Sequence, residues 1–350
     1  MAALDREAIA RFDSQRLLDD ILAMPAHLGD ALWRVESAGL EAHDSPGGLV
    51  VAGMGGSAIG GLLARAALGD QASRPILAAR GYGLPPWTTP DTTVLCASYS
   101  GATEETLACY ESAGALGAHR VVVTSGGRLA EQAREDGVAL IPIPGGFQPR
   151  AAIAYLLVAA LEVAALCGAG PRLAAEIDVA AGHLDTLARD WGPDAGEDSL
   201  AKSLAVSLHG TVPLIAGAGL TIPLAYRWKT QINENAKAPA FWGELPELDH
   251  NEIAGWDGAA ALAPFSAIFL DDCDSHPRLR ERIELTRRRV APSARFTAVV
   301  STRGETALER VCSLVLLGDL VSFYLAILAG VDPTTVEALV ELKQALAERE

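Results

Sequence analysis

Between residues 48 and 146 short apolar runs of β-rich composition alternate with stretches of helical period, and no other feature limits the fold as strongly. The runs are GLVVAGM (48–54), RPILAAR (74–80), TTVLCASYS (92–100), HRVVVTSGG (119–127) and VALIPIP (138–144), with helical patterning at 57–68, 103–115 and 128–136. Runs that are apolar throughout suit parallel strands buried on both faces and joined by helices that cover the sheet. The pattern predicts a doubly wound α/β domain. Helical patterning then fills 149–190, and RDWGPDAGEDS (189–199), rich in Gly, Pro and acid, has the composition of an exposed connection. Beyond it the rhythm restarts, with strands expected at TVPLIAGAG (211–219), FSAIFLDD (265–272), RFTAVVST (295–302) and SLVLLGD (313–319). Helices are expected over 220–238, 276–290 and 304–313, with an irregular stretch after 238 and two closing helices. The expected organisation is therefore an N-terminal helical segment (1–47), a first α/β domain (48–190), a linker (191–199) and a second α/β domain with C-terminal helices (200–350).

A net charge of −16, from 28 basic and 44 acidic residues, repels a phosphate backbone, and no basic stripe is present, so no nucleic-acid partner is expected. A small anion would have to be held by local backbone N–H groups and a few placed cations, against the overall field. Cys96, Cys109, Cys167, Cys273 and Cys312 are far apart, show no CxxC spacing and lie mostly in apolar segments. They imply no zinc or redox site and a reducing, cytoplasmic setting. The N-terminal MAALDREAIARFDSQRLLDDILAMP is charged throughout with an apolar period of 3.6, which predicts an amphipathic helix and no signal peptide. AAIAYLLVAALEVAALC (151–167) is broken by Glu162 and falls short of the roughly 20 residues that span a bilayer, so it reads as a buried core helix with no membrane role.

Two loops carry the chemistry. VVAGMGGSAIGG (50–61) admits three readings. Gly53-x-Gly55-x-x-Ala58 fits the dinucleotide fingerprint, but the second strand ends at Arg80 where an NAD site wants an acid, which leaves an NADP enzyme. The glycines alone could close a tight strand-to-helix turn. In the third reading the loop and the helix N-terminus hold a phosphate, with Ser57 supplying a hydroxyl. SYSGATEET (98–106) favours this last reading, because Ser98, Ser100 and Thr103 cluster where a strand meets a helix and N-capping needs only one of them.

Taken in order, GMGGSAIGG, SYSGATEET, QPRAAIAYLL (148–157), INENAKAP (232–239), ELPELDHNEI (244–253) and VDPTTVEALVELK (331–343) resemble the bifunctional phosphoglucose/phosphomannose isomerases, which are built from two sugar-isomerase (SIS) domains. The resemblance runs from about residue 48 to the C-terminus. It implies two SIS-type doubly wound parallel-sheet domains of flavodoxin-like three-layer α/β/α form, a cytoplasmic homodimer, hexose 6-phosphate substrates, and neither cofactor nor metal. By motif it implies that Gly55, Gly56, Ser57, Ser98, Ser100 and Thr103 bind the sugar phosphate. Arg150 is implied as the stabiliser of an enediolate, Glu234 as the base, His250 as the ring-opening group and Lys343 as a further active-site cation. Two positions depart from the usual pattern: Ala102 stands in place of an Asn and Leu62 in place of an Asp, both beside the phosphate-binding residues.

Aldose–ketose isomerisation moves a proton between C1 and C2, so it needs one base and a cation near the developing oxyanion. Glu234 and Arg150 are of the right types, although spacing alone equally allows Glu234 to be a solvated helix carboxylate paired with Lys237 or Lys229. His250 could shuttle a proton to the ring oxygen; it lies among Glu244, Glu247, Asp249 and Glu252, but a single imidazole does not make that cluster a metal site. The base and histidine come from the second half and the phosphate loops from the first, which places the expected site between the domains, completed by a second subunit. Two alternatives stand beside the isomerase. One is a non-catalytic SIS-type sugar-phosphate-binding protein, which has no use for Glu234, Arg150, His250 and Lys343 together. The other is an NADP-dependent oxidoreductase built on Gly53, Gly55 and Arg80.

Overall fold

Leu49–Ala52 and Thr93–Ala97 are buried at every position, so both faces of the strands they form must be covered. In the computed structural model, which describes residues 4–348, these strands are the centre of a parallel five-stranded sheet of order β2-β1-β3-β4-β5. Its strands are β1 (Leu49–Ala52), β2 (Ile76–Ala79), β3 (Thr93–Ala97), β4 (His119–Thr124) and β5 (Ala139–Pro142). Helices α4 (Gly56–Leu68), α5 (Glu104–Ala115) and α6 (Gly127–Glu135) alternate with them, and α7 (Ile153–Leu166) follows. Val50, Ala52, Val94, Cys96 and Val122 face α5 and α6, while Leu49, Val51, Leu95, Val121 and Val123 face the α4 and α7 side. This is the expected three-layer arrangement.

The second half repeats the plan with a parallel sheet of order β7-β6-β8-β9, formed by β6 (Val212–Ala218), β7 (Phe241–Leu245), β8 (Phe265–Asp271) and β9 (Phe296–Ser301). Before it come α8 (Ala174–Trp191) and α9 (Leu200–Leu208), and within it α10 (Ile222–Ala236), α11 (Trp256–Leu262) and α12 (Pro277–Val290). The chain closes with α13 (Ala307–Ala329) and α14 (Glu337–Ala347). The connection between α8 and α9 is anchored rather than loose, because the buried Lys202 ammonium bonds the carbonyls of Pro193 and Ala195 and the Glu197 carboxylate.

Three expectations need correction. SLVLLGD is not a strand but the middle of α13, whose residues from Leu308 to Ile327 are all buried. A helix that is apolar all round shows no amphipathic period, so an internal window of it is indistinguishable from a buried strand. Its ends carry the true signal: Thr306 Oγ1 accepts from Glu309 N, the Glu309 carboxylate accepts from Thr306 N, and Gly330 closes the helix in the left-handed conformation. The stretch after 238, expected to be irregular, holds β7, an edge strand whose Phe241 and Trp242 are partly exposed. At the N-terminus the single expected helix is α1 (Arg6–Phe12), α2 (Leu17–Leu22) and α3 (Met24–Ser37). Asp13 ends the first and starts the second, its carboxylate accepting from Leu17 N and Leu18 N, and Arg16 between them is left-handed. The segments long and apolar enough to cross a membrane, 149–166 and α13, are 83% and 94% buried within the chain, which makes them core helices.

Candidate active site

In a doubly wound sheet the ligand crevice opens where the strand order reverses, here between the carboxyl ends of β1 and β3. The two glycine-bearing loops meet there. A Cβ on Gly53 would lie 2.7 Å from the Ala97 carbonyl oxygen, so only glycine lets the first loop approach the second this closely. Gly55 takes φ +52° and turns the chain into α4, which begins at Gly56 and Ser57. In the second loop the Ser98 and Thr103 hydroxyls are 2.9 Å apart, Gly101 N donates to Ser98 Oγ (3.1 Å) and Ala102 N donates to Ser100 Oγ (3.3 Å). Thr103 occupies the N-cap position of α5 but makes no capping bond, so capping does not explain its hydroxyl. Gly55, Gly56, Ser57, Ser98, Ser100 and Thr103 are thus brought to one crevice.

The crevice continues into the second domain. A Cβ on Gly56 would lie 3.5 Å from the Pro149 carbonyl oxygen and 3.6 Å from Arg150 Cα, which seats the first loop on the 3-10 turn Pro149–Ala152. From that turn the Arg150 side chain, 4% exposed, crosses to the C-terminus of α10. Its Nη1 is 3.5 Å from Glu234 Oε2, its Nε donates to Asn235 Oδ1 (2.6 Å), and its Nη2 donates to the carbonyls of Pro333 (2.6 Å) and Thr334 (3.0 Å). Burial holds the guanidinium below its ordinary pKa and the Glu234 charge opposes that shift. Lys237, left-handed just past α10, donates to the Glu234 carbonyl (2.6 Å), not to its carboxylate. Burial and the nearby Arg150 charge push its ammonium down to about 8. The carboxylate partner of Glu234 is therefore Arg150, and neither lysine considered from spacing.

A model of the bacterial phosphoglucose isomerase C-terminal SIS domain matches residues 197–346. The bifunctional phosphoglucose/phosphomannose isomerase of Caldicellulosiruptor bescii is 39% identical over 303 residues, covering 86% of this chain and 89% of that protein. The protein of the same name from Aquifex aeolicus is 34% identical over 303 residues, 85% of this chain and 90% of that one. The chain belongs to this isomerase family. Among solved structures, a hypothetical protein of Thermus thermophilus superposes with a TM-score of 0.74 over 99% of this chain and 93% of its own, at 18% identity, and confirms the fold.

Membership makes the protein an isomerase and sets aside both the non-catalytic sugar-phosphate binder and the oxidoreductase. Arg80, which the NADP reading needed, lies 5.1 Å over the Tyr226 ring. Two of the residues that the isomerase motifs single out stand apart from the rest. His250 is exposed on the 3-10 turn Glu247–His250, which follows β7 and is tied to α12 by Asp249 bonding Thr286 (2.6 Å) and Arg282 (3.2 Å). Because β7 runs parallel to β6 and α10 returns between them, Glu234 precedes the amino end of β7 and His250 follows its carboxyl end, so the two lie at opposite ends of that strand, which is about 16 Å long at 3.3 Å per residue. Lys343 is exposed on α14, all of whose described side chains from Glu337 onward are exposed. The partners of Arg150 that sequence reasoning missed are Asn235, Gln148, whose Oε1 accepts from Arg150 Nη1 (3.4 Å), and the backbone carbonyls of Pro333 and Thr334. Asn235 and Gln148 sit inside the quoted motifs NENAK and QPR, so the signal was present but unassigned.

Proposed function

We propose that the protein interconverts fructose 6-phosphate with glucose 6-phosphate and mannose 6-phosphate through a cis-enediolate. The observation that carries this reading is the Arg150–Glu234 pair, 3.5 Å apart, with the Arg150 backbone packed against the phosphate-type loop at Gly56. The hydroxyls of Ser57, Ser98, Ser100 and Thr103, with the N–H groups at Gly55 and Gly56, hold the phosphate at the start of α4. The sugar then extends toward Glu234. Its carboxylate takes the proton from C2 of the open-chain aldose, the C1 carbonyl electrons move onto oxygen, and the resulting enediolate oxyanion is stabilised by the Arg150 guanidinium. Passage of the O2 hydroxyl proton to O1, and protonation of C1 by the Glu234 carboxyl, whose proton exchanges with solvent, give the ketose and restore the carboxylate. Reprotonation of planar C2 on one face gives the glucose epimer and on the other the mannose epimer, so one base serves both where the site lets the intermediate rotate about C2–C3.

His250 and Lys343 enter this scheme through a second copy of the chain. His250 follows the carboxyl end of β7, the end away from Glu234, and an imidazole there serves ring opening only where another subunit presents it to the crevice. A homodimer that shares its two sites satisfies this. The reading is tested on solvent deuterium incorporation at C2 of glucose 6-phosphate. Glu234→Gln keeps size and hydrogen bonding but removes the basic lone pair, so exchange and both net conversions should fall together by roughly two to four orders of magnitude, the worth of a positioned base. Exchange at the wild-type rate would assign the base to another residue.

A further inference from the structure

Behind the active-site arginine runs a buried chain of hydrogen bonds whose direction is fixed by its members. The Ser322 hydroxyl on α13 donates to the Asp319 carbonyl (2.9 Å), so toward Asn235 it acts as acceptor. Asn235 therefore presents its NH₂ to Ser322 (2.9 Å) and turns its oxygen onto Arg150 Nε (2.6 Å). A flipped amide would set donor against donor at Arg150 and acceptor against acceptor at Ser322. Asn235 and Ser322 are 0% exposed, so water does not substitute for either bond. A second branch starts from the same helical turn. Arg227 donates to the Asp319 carboxylate (2.6 Å) and to the Arg150 backbone carbonyl (3.1 Å), and Gln231 donates to the other Asp319 oxygen (2.9 Å). Both the guanidinium and the backbone of Arg150 thus hang from Asp319–Ser322.

We propose that Ser322 and Asn235 are positioning residues for the isomerisation, which hold the Arg150 guanidinium with Nη1 toward Glu234 and the enediolate. The inference rests on the roles given to Arg150 and Glu234 above. Stabilisation of a developing oxyanion depends steeply on donor placement, and a misplacement of about 1 Å costs on the order of a hundredfold in rate.

Ser322→Ala removes the acceptor that orients Asn235. The kcat for fructose 6-phosphate should fall about tenfold while KM, set by the phosphate loops, stays within about twofold. Asn235→Leu, which removes the whole link, should lower kcat about a hundredfold. Assays are run well below the Tm of the least stable variant, so only folded protein is compared. The deciding measurement is a double-mutant cycle with Arg150→Lys, which keeps the charge but has no Nε–H for Asn235 to receive. In that background Ser322→Ala should have no further effect on kcat. A loss that persists undiminished there, or wild-type kcat in Ser322→Ala alone, overturns the relay. If Arg150→Lys is itself as active as wild type, the role of Arg150 is wrong and the relay falls with it. Should Ser322→Ala fold poorly, Ser322→Cys, with a weak acceptor of similar size, serves the same cycle with the same sign.

Discussion

After its first strand the N-terminal domain has Gly53-Met54-Gly55-Gly56-Ser57, and the C-terminal domain has Gly217-Ala218-Gly219-Leu220-Thr221. The backbone does the same thing in both: Gly55 takes φ +52° and Gly219 φ +56°, and a helix follows. The side chains part company. Ser57 stands at the start of α4 beside Gly53, which adjoins the loop of Ser98, Ser100 and Thr103, whereas the Thr221 hydroxyl accepts from Ala218 N (2.9 Å) and donates to the Leu270 carbonyl (2.8 Å). Gly53 lies against Ala97 and Gly217 pairs with Leu270, so the residue at the position of Ser98 in the second domain is Asp271. That carboxylate is tied to Arg280 and the next one, Asp272, to Arg310. A glycine turn at the end of a parallel strand is therefore only a frame. Whether an anion enters depends on free hydroxyls and on the absence of a carboxylate at the neighbouring strand end.

The strongest way to break this comparison is to give the first domain the acid of the second. Ser98 is 1% exposed, and Ser98→Asp would place a buried carboxylate against the substrate phosphate. At about 4 Å and an effective dielectric near 20 such a pair repels by about 4 kcal/mol per charge pair, so KM for fructose 6-phosphate should rise by roughly two to three orders of magnitude. Steady-state kinetics checks it, with circular dichroism to confirm the fold. A wild-type KM would show that the phosphate is held elsewhere.

A smaller effect separates two glycines of equal backbone conformation. Gly101 takes φ +66°, and a Cβ there would lie 1.7 Å from the Gly126 carbonyl oxygen; at Gly219, φ +56°, a Cβ would meet nothing within 4 Å. Gly219→Ala should cost only the left-handed backbone penalty of about 1–2 kcal/mol. Gly101→Ala must also push the loop after β4 away, and should cost about 3 kcal/mol or more and raise KM, because the loop carrying Ser98 and Ser100 shifts with it. Thermal melts of the pair check the ranking. Equal losses would mean that the two loops are equally free.

How much of this was legible in the chain follows from the same contrast. The strands of the first sheet were readable because β1 and β3 are buried at every position and all five are built mainly of apolar residues. The hydroxyl loops were readable because Ser98, Ser100 and Thr103 exceed what capping requires. Strand β7 was not, since an edge strand with exposed Phe241 and Trp242 looks like loop, and α13 was misread in part because a helix buried all round carries no period. The partners of Arg150 were out of reach for a different reason. Asn235 and Pro333 lie 85 and 183 residues away in sequence, and only the packing of α10 and the segment after α13 around residue 150 brings them together.

The mildest test exchanges readouts between the two domains. Ser100 is exposed and its hydroxyl accepts only the long bond from Ala102 N (3.3 Å), so Ser100→Ala removes nothing the fold depends on. Its Tm should stay within a degree or so, while KM for fructose 6-phosphate rises about tenfold at unchanged kcat, because one hydrogen bond to a charged phosphate contributes about 1.5 kcal/mol equally in ground and transition states. Thr221→Val should do the reverse. It leaves Ala218 N and the Leu270 carbonyl buried without their partner, a loss of about 1–3 kcal/mol that lowers Tm by several degrees, while KM stays at its wild-type value. The Ser100 hydroxyl is bound to the fold by one long bond and the Thr221 hydroxyl by short buried ones, and paired melts and kinetics read that difference directly. Should Thr221→Val raise KM as Ser100→Ala does, the second turn also takes part in binding substrate, and the division of labour between the domains is wrong.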